Sequence, residues 1–204
     1  MDDSPETNIA TAHEHVVISD EALFDRVRQS QESPGPEGDE LVRRHCPMLM
    51  RYLCRLCGNA TVADEMHQQT WVSVLEHVDR FDTNSGEGSF KAWLFRIATN
   101  KVNDLWRSRA REARAKTGLR LVVDQEDVEA SIPAQAHEAR DRLQTAIDKL
   151  PEPQKQVVCM RYYGNMKFVD IAQAVGCPLN TALGRMHKAL ARLKMLLEGI
   201  SGES

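Results

Sequence analysis

No run of 18 apolar residues occurs anywhere in the 204-residue chain, so no membrane-spanning helix is expected. The opening residues, MDDSPETNIATAHEH, have neither the basic start nor the apolar core of an export signal, and a cytoplasmic location is expected. The five cysteines are an odd number, which argues against a disulfide framework and for a reducing compartment. There is no internal repeat and no strand-length alternating segment; LRLVV at 119–123 is the one β-leaning piece. Phosphate-cradling loops, HExxH and nucleophile elbows are missing, so the expectation is a protein that is not an enzyme and needs no cofactor or metal. The chain is not uniformly basic either. Its 26 Lys and Arg face 30 Asp and Glu, a formal net charge of −4, which excludes a cationic nucleic-acid coat. What is present is 42% hydrophobic residues, enough for one medium core or two small ones.

The average charge hides a strong segregation. Residues 1–41 carry 11 acids and 2 bases. Residues 91–120 carry 9 bases against Asp104 and Glu112, a net of +7. Residues 121–153 return to 8 acids against 3 bases, and residues 182–197 hold Arg185, Lys188, Arg192 and Lys194 with no acid. Two basic blocks separated by an acidic stretch predict two surfaces that meet one polyanion.

Residues 1–19 are polar, acidic and aperiodic, which predicts a disordered acidic tail. DEALFDRVRQS reads as a short helix with Leu23, Phe24 and Val27 on one side, capped by Ser19 or Asp20. SPGPEGD at 33–39 reads as a loop. Leu41, Met48, Leu49, Tyr52, Leu53 and Leu56 have helical spacing, closed by Gly58-Asn59. A helix over 61–78 follows, with Thr61 as cap and Val62, Met66, Thr70 or Trp71, Val74, Leu75 and Val78 facing inward. Residues 89–114 make a long helix packed through Phe90, Trp93, Leu94, Ile97 and Ala98, and its far half is basic. Residues 115–138 read as a linker. Four short helices follow over 139–150, 153–163, 167–175 and 178–197, punctuated by Pro151, Pro153, Gly164 and Gly176. The expected fold is all-α, in two helical domains over 20–114 and 139–198.

KFVDIAQAVGCPLNTALGRMHKALARLK has helix-turn-helix spacing. Ala172 is small enough for a second helix to cross, Gly176 permits the turn, and Pro178 suits a first helical turn. Ala182, Met186, Ala189, Leu190 and Leu193 are the expected buried stripe. Thr181, Leu183, Gly184, Arg185, His187 and Lys188 then turn outward, as a recognition helix requires. FKAWLFRIATNKVNDLWRSRARE mixes aromatics with cations and amides, a composition suited to unstacked single-stranded bases. Phe90 and Trp93 in it read as core. Cys54-Arg-Leu-Cys57, with His45 and Cys46 upstream, is a weak metal pattern, since all three cysteines follow the apolar spacing of one helix.

Taken together, VADEMHQQTWVSVLEHVDRFD, FKAWLFRIATNKVNDLWRSRARE and LPEPQKQVVCMRYYGNMKFVDIAQAVGCPLNTALGRMHKALARLK, in that order, resemble the extracytoplasmic-function group of bacterial sigma factors, the two-domain members of the sigma-70 family. The resemblance implies a factor that binds core RNA polymerase and directs promoter recognition and opening. It implies that Asp64, Glu65, Gln68 and Gln69 dock on the clamp helices of the polymerase largest subunit, where acids and amides suit a basic coiled coil, and that the polymerase flap is a second contact. It implies that Asn100 reads a flipped base of the minus-10 element, with Asn103 and Asp104 nearby, while Lys101, Arg107, Arg109 and Arg111 hold phosphates. It implies minus-35 duplex recognition by Thr181, Arg185, His187 and Lys188. Leu183 and Gly184 depart from the family pattern, which more often has a basic residue and Ser there. Lys167 stands where a capping Ser is common, which leaves Asn165 as the expected cap. An anti-sigma partner is also implied. The competing readings are a helix-turn-helix regulator that works without polymerase, and a decoy that only holds the polymerase.

Overall fold

A computed structural model describes residues 18–30, 35–81, 89–115 and 134–200. Among them are eight α-helices, one 3₁₀ turn at Val78–Arg80, and no strand. Helices α1 (Asp20–Gln29), α2 (Gly35–Cys57), α3 (Ala60–Glu76) and α4 (Phe90–Ala115) form a first lobe. Helices α5 (Ala134–Asp148), α6 (Glu152–Tyr162), α7 (Phe168–Ala174) and α8 (Leu179–Ile200) form a second. The expected tail up to residue 17, most of the expected linker, and LRLVV lie outside the described residues.

The first lobe is tied together at its start. The Ser19 hydroxyl accepts the Ala22 N–H at 3.2 Å and caps α1. Arg44 donates to the Ile18 carbonyl at 2.7 Å and to Asp20 at 3.0 Å, while His45 Nε2 sits 2.7 Å from the same carboxylate. Ile18 and Ser19 therefore belong to the fold and not to the tail. The expected loop at 33–39 is corrected too, because α2 already begins at Gly35. Gly35 enters it at φ +57°, and Pro36 lacks only an N–H that a first helical turn leaves unpaired anyway.

The turn from α2 to α3 is shorter than expected. Gly58 takes φ +67°, a left-handed exit that suits glycine. Asn59 then caps α3 by accepting the Val62 N–H at 2.9 Å, in place of Thr61. The inward face of α3 is Ala63, Met66, Thr70, Ser73 and Val74; Leu75, expected inside, is 41% exposed.

The N-terminal half of α4 is the centre of the lobe. Phe90 and Trp93 meet Phe24 and Phe81 in a four-ring knot with centroids 5.1–6.1 Å apart. Such tilted and edge-on pairs are worth about 0.5–1.5 kcal/mol each beyond area burial. Tyr52 bonds Thr99 at 2.8 Å, and Thr99 donates to the Phe95 carbonyl, so the buried hydroxyls are satisfied.

The second lobe relies on small and flexible side chains: Ala146, Val157, Met160, Met166, Ala172, Ala182, Met186 and Ala189 are buried. Gly176 makes the α7–α8 turn at φ +66°, and the Cys177 N–H reaches back to the Ala172 carbonyl at 2.9 Å. The N–H groups of Thr181 and Ala182 close on the Pro178 carbonyl at the start of α8. Asn165 does not cap α7: its backbone turns left-handed at φ 47°, and the cap residue Lys167 makes no side-chain capping bond. Leu190, expected in the buried stripe, is 43% exposed; the stripe is Ala182, Met186, Ala189 and Leu193.

The two lobes pack against each other, α4 on α7 and α2 on α6, and their buried residues form one cluster. Gly164 of the second lobe lies so close to the Phe95 ring that an added Cβ would stand 2.7 Å from it.

Candidate nucleic-acid interface

After its buried half, α4 emerges with a polar outer face. Asn100, Asp104, Arg107 and Arg111 are exposed, and Lys101 and Arg109 are half-buried. Asp104 and Arg107 pair at 3.1 Å at the surface, where such a bridge contributes little to stability. The expectation that aromatics here stack on bases is narrowed: Phe90, Trp93 and Phe95 are all buried. Trp106 is half-buried with the Lys155 ammonium 5.9 Å above its ring. Asn103 is engaged elsewhere, its Oδ1 accepting from Gln156 Nε2 of α6 at 2.8 Å.

On α8, the stripe Ala182, Met186, Ala189 and Leu193 faces inward, so the residues between point out. Thr181, Leu183, His187 and Lys188 are exposed. Gly184 would meet nothing within 4 Å if it gained a Cβ. Arg185 is half-buried and turns toward the first lobe. There it lines a cleft of about 720 Å³ together with Asn103, Trp106, Arg107, Glu152 and Gln156. Burial lifts the Glu152 carboxyl to about 7, against the pull of Lys155 and Gln156.

The third surface is on α3. Asp64, Glu65, Gln68 and Gln69 are all exposed on one face. Gln68 donates to Asp64 at 2.8 Å and Gln69 to Glu65 at 3.0 Å, so two i,i+4 pairs hold the side chains outward. Val72, 53% exposed, and Leu75, which the apolar spacing places inside, extend this face with apolar surface. His67 is half-buried and its Nε2 accepts the Trp71 indole N–H at 3.1 Å. Burial lowers its pKa, so it stays neutral in that bond.

The cysteines do not converge on one site. Burial pushes Cys57 and Cys159 up to about 12 and raises Cys54, so these thiols ionise less readily than a free cysteine. His45 addresses Asp20 instead. Among the described residues, no group of three His, Cys, Asp or Glu is placed to hold a metal ion, and no helix is long and apolar enough to cross a membrane.

Two packed helical lobes, one with a helix-turn-helix and the other with a protruding cationic helix, define a DNA-binding protein of transcription. Residues 41–112 match sigma-70 region 2, and residues 140–193 match sigma-70 region 4. The chain is 30% identical over 192 residues to the ECF RNA polymerase sigma factor SigE of Mycolicibacterium smegmatis, covering 90% of this chain and 69% of that protein. It is 30% identical over 152 residues to the ECF RNA polymerase sigma factor EcfG of Rhodopseudomonas palustris, covering 74% and 80%. Its fold is that of CnrH, solved with the cytosolic domain of CnrY, at a TM-score of 0.66 and 24% identity over 88% of this chain and 97% of that one. It is also that of the sigma factor RpoE of Bartonella quintana, solved with the anti-sigma factor NepR, at 0.65 and 22% over 79% and 97%. The chain belongs to the ECF sigma factors of the sigma-70 family, and is a sigma factor that directs transcription initiation. Sigma factors are in general regulators of transcription and not enzymes. The region 2 match counts against a regulator that works without polymerase.

Proposed function

We propose that residues 20–114 dock on core RNA polymerase and open the minus-10 element, and that residues 139–198 read the minus-35 duplex. Asp64, Glu65, Gln68 and Gln69, extended by Val72 and Leu75, contact the clamp helices of the largest subunit. Asn100 reads a flipped base, with Asn103 and Asp104 beside it. Lys101, Arg107, Arg109 and Arg111 hold the strand's phosphates. Thr181, Arg185, His187 and Lys188 enter the major groove, and the second lobe also meets the polymerase flap. An anti-sigma protein is a further partner, as NepR is of the Bartonella quintana sigma factor. The chain acts in the cytoplasm and carries no catalytic residue.

The observation that carries this reading is the sorting of side chains on α4. Phe90, Trp93 and Phe95 are buried, whereas Asn100, Asp104, Arg107 and Arg111 are exposed. Extrusion of a base costs a few kcal/mol, so a lost pocket contact shows directly in opening. Run-off transcription with core polymerase on promoters of the same genome is the test. Asn100→Ala should lower open-complex formation at least tenfold and leave upstream duplex affinity unchanged. Removing Arg185 and Lys188 should weaken the duplex contact and lower its salt slope by about two. Unchanged opening by Asn100→Ala would remove Asn100 from the pocket; no transcription from the unaltered chain would end the whole reading.

A further inference from the structure

Two neighbouring residues on α8 are poorly explained by folding. Gly184 is not required by its backbone: positive φ among the described glycines is confined to Gly35, Gly58 and Gly176. It is not required by packing either, since an added Cβ would meet nothing within 4 Å. A glycine so placed only weakens its helix. Leu183 beside it is 41% exposed, although leucine is among the side chains that gain most from burial. One exposed leucine is ordinary, but Leu179, a turn earlier on the same flank, is exposed as well.

The buried stripe Ala182, Met186, Ala189 and Leu193 fixes where these residues point. Helical spacing sets Asn180, Gly184 and Lys188 on one line opposite the stripe, and Leu179, Leu183 and His187 on the line beside it. Asn180, His187 and Lys188 are exposed, and no acid stands anywhere between Leu179 and Leu197. The outward face of α8 therefore has a bare backbone in its middle and an apolar ridge along one side.

What such a face selects is chemically narrow. In the major groove the bases present hydrogen-bond donors, acceptors and one apolar group, the thymine methyl. Leucine has neither donor nor acceptor, so that methyl is the feature it distinguishes. Glycine is the residue that lets a backbone come closest to a ligand, and a side chain at position 184 would hold the helix further from the base edges.

We propose that Leu183 sets a sequence preference in the minus-35 duplex by resting on the methyl group of a thymine, and that the bare backbone at Gly184 lets α8 in close enough to make this contact. The inference rests on the proposed function, which puts α8 in the major groove, and adds to it the base selected and the residue that selects it.

Deoxyuridine differs from thymidine by that methyl alone and so isolates the contact. Holoenzyme assembled from the full-length chain and core RNA polymerase is titrated with a promoter duplex of the same genome, its minus-35 thymines replaced one at a time by deoxyuridine. Burial of one methyl-sized group is worth roughly fourfold in affinity, and the unaltered chain should lose about that factor at one position. Leu183→Ala should bind the thymine and deoxyuridine duplexes equally there, while Leu183→Met, still long and apolar, should keep the difference. Gly184→Ala should bind the thymine duplex several-fold more weakly, with thermal unfolding no lower than that of the unaltered chain, which separates lost approach from lost folding. No methyl-sensitive position, a methyl effect that survives Leu183→Ala, or full affinity of Gly184→Ala overturns the proposal. Holoenzyme that binds every duplex alike leaves the proposed function standing and removes Leu183 from it. Holoenzyme of the unaltered chain that binds no duplex counts against the proposed function itself, and the inference falls with it.

Discussion

The two lobes solve the same problem with different materials. The first buries rings: Phe24, Phe81, Phe90 and Trp93 knot α1 to the base of α4, and the reading helix is one continuous rod whose near half is core. The second buries no ring among the described residues: alanines and methionines fill its core with Ile147, Leu150, Val157, Val158 and Ile171, and α8 touches that core along one narrow stripe. The outer face of α8 can therefore change with little effect on folding, whereas much of α4 cannot. The first exposed residue of α4 is Asn100, directly after the buried Ala98 and Thr99.

The strongest way to break this contrast is Trp93→Ala. Removal of a buried aromatic typically costs about 3–5 kcal/mol, and denaturant unfolding should show the first lobe lost while α5–α8 keeps its helicity. If instead both lobes melt as one, the interlobe contact couples them more tightly than the contrast allows.

A middle-sized effect should come from Glu152, on the second lobe's side of the cleft. It is faced by Lys155 and Gln156 of its own helix, Asp148 of α5, Cys57 of α2, Arg107 of α4 and Arg185 of α8. One of its carboxylate oxygens is buried without a hydrogen-bond partner among the described residues. Its carboxyl is raised from 4.5 to about 7 by burial, so the folded protein holds a proton that the unfolded chain releases. Stability should fall as pH rises from 4.5 to about 7 and stay level above and below that window. Denaturant unfolding across this pH range reads this, and Glu152→Gln should flatten the slope.

The smallest effect is expected at Gly184. No described residue occupies the space its Cβ would take, and glycine inside a helix costs up to about 1 kcal/mol against alanine. Gly184→Ala should raise the second lobe's stability by no more than that, measured by thermal unfolding. A loss would mean that α8 is constrained on its outer face as α4 is.

Much of this was legible in the sequence because local spacing has local causes. Leu49, Leu53 and Leu56 mark the inner face of α2, Ser19 caps α1, and Gly176 turns α7 into α8 as its missing Cβ permits. The errors have equally specific sources. Thr61 has the chemistry of a cap, but Gly58 ends α2 and Asn59 already starts α3. Leu75 and Leu190 fit an apolar period, yet each lies at the edge of its stripe, where no partner helix covers it. Asn103 read as a free amide because a bond from residue 156 leaves no periodic trace in a sequence. Polar contacts across large sequence separations such as Ser89 to Asp170 are invisible to pattern reading for the same reason.

The inward turn of Arg185 bears on how such a molecule finds its target. Chromosomal DNA offers millions of sites that attract any exposed cluster of arginines without regard to sequence. With Arg185 half-buried while Lys188, Arg192 and Lys194 stay exposed, α8 offers this background one fewer fully open cation.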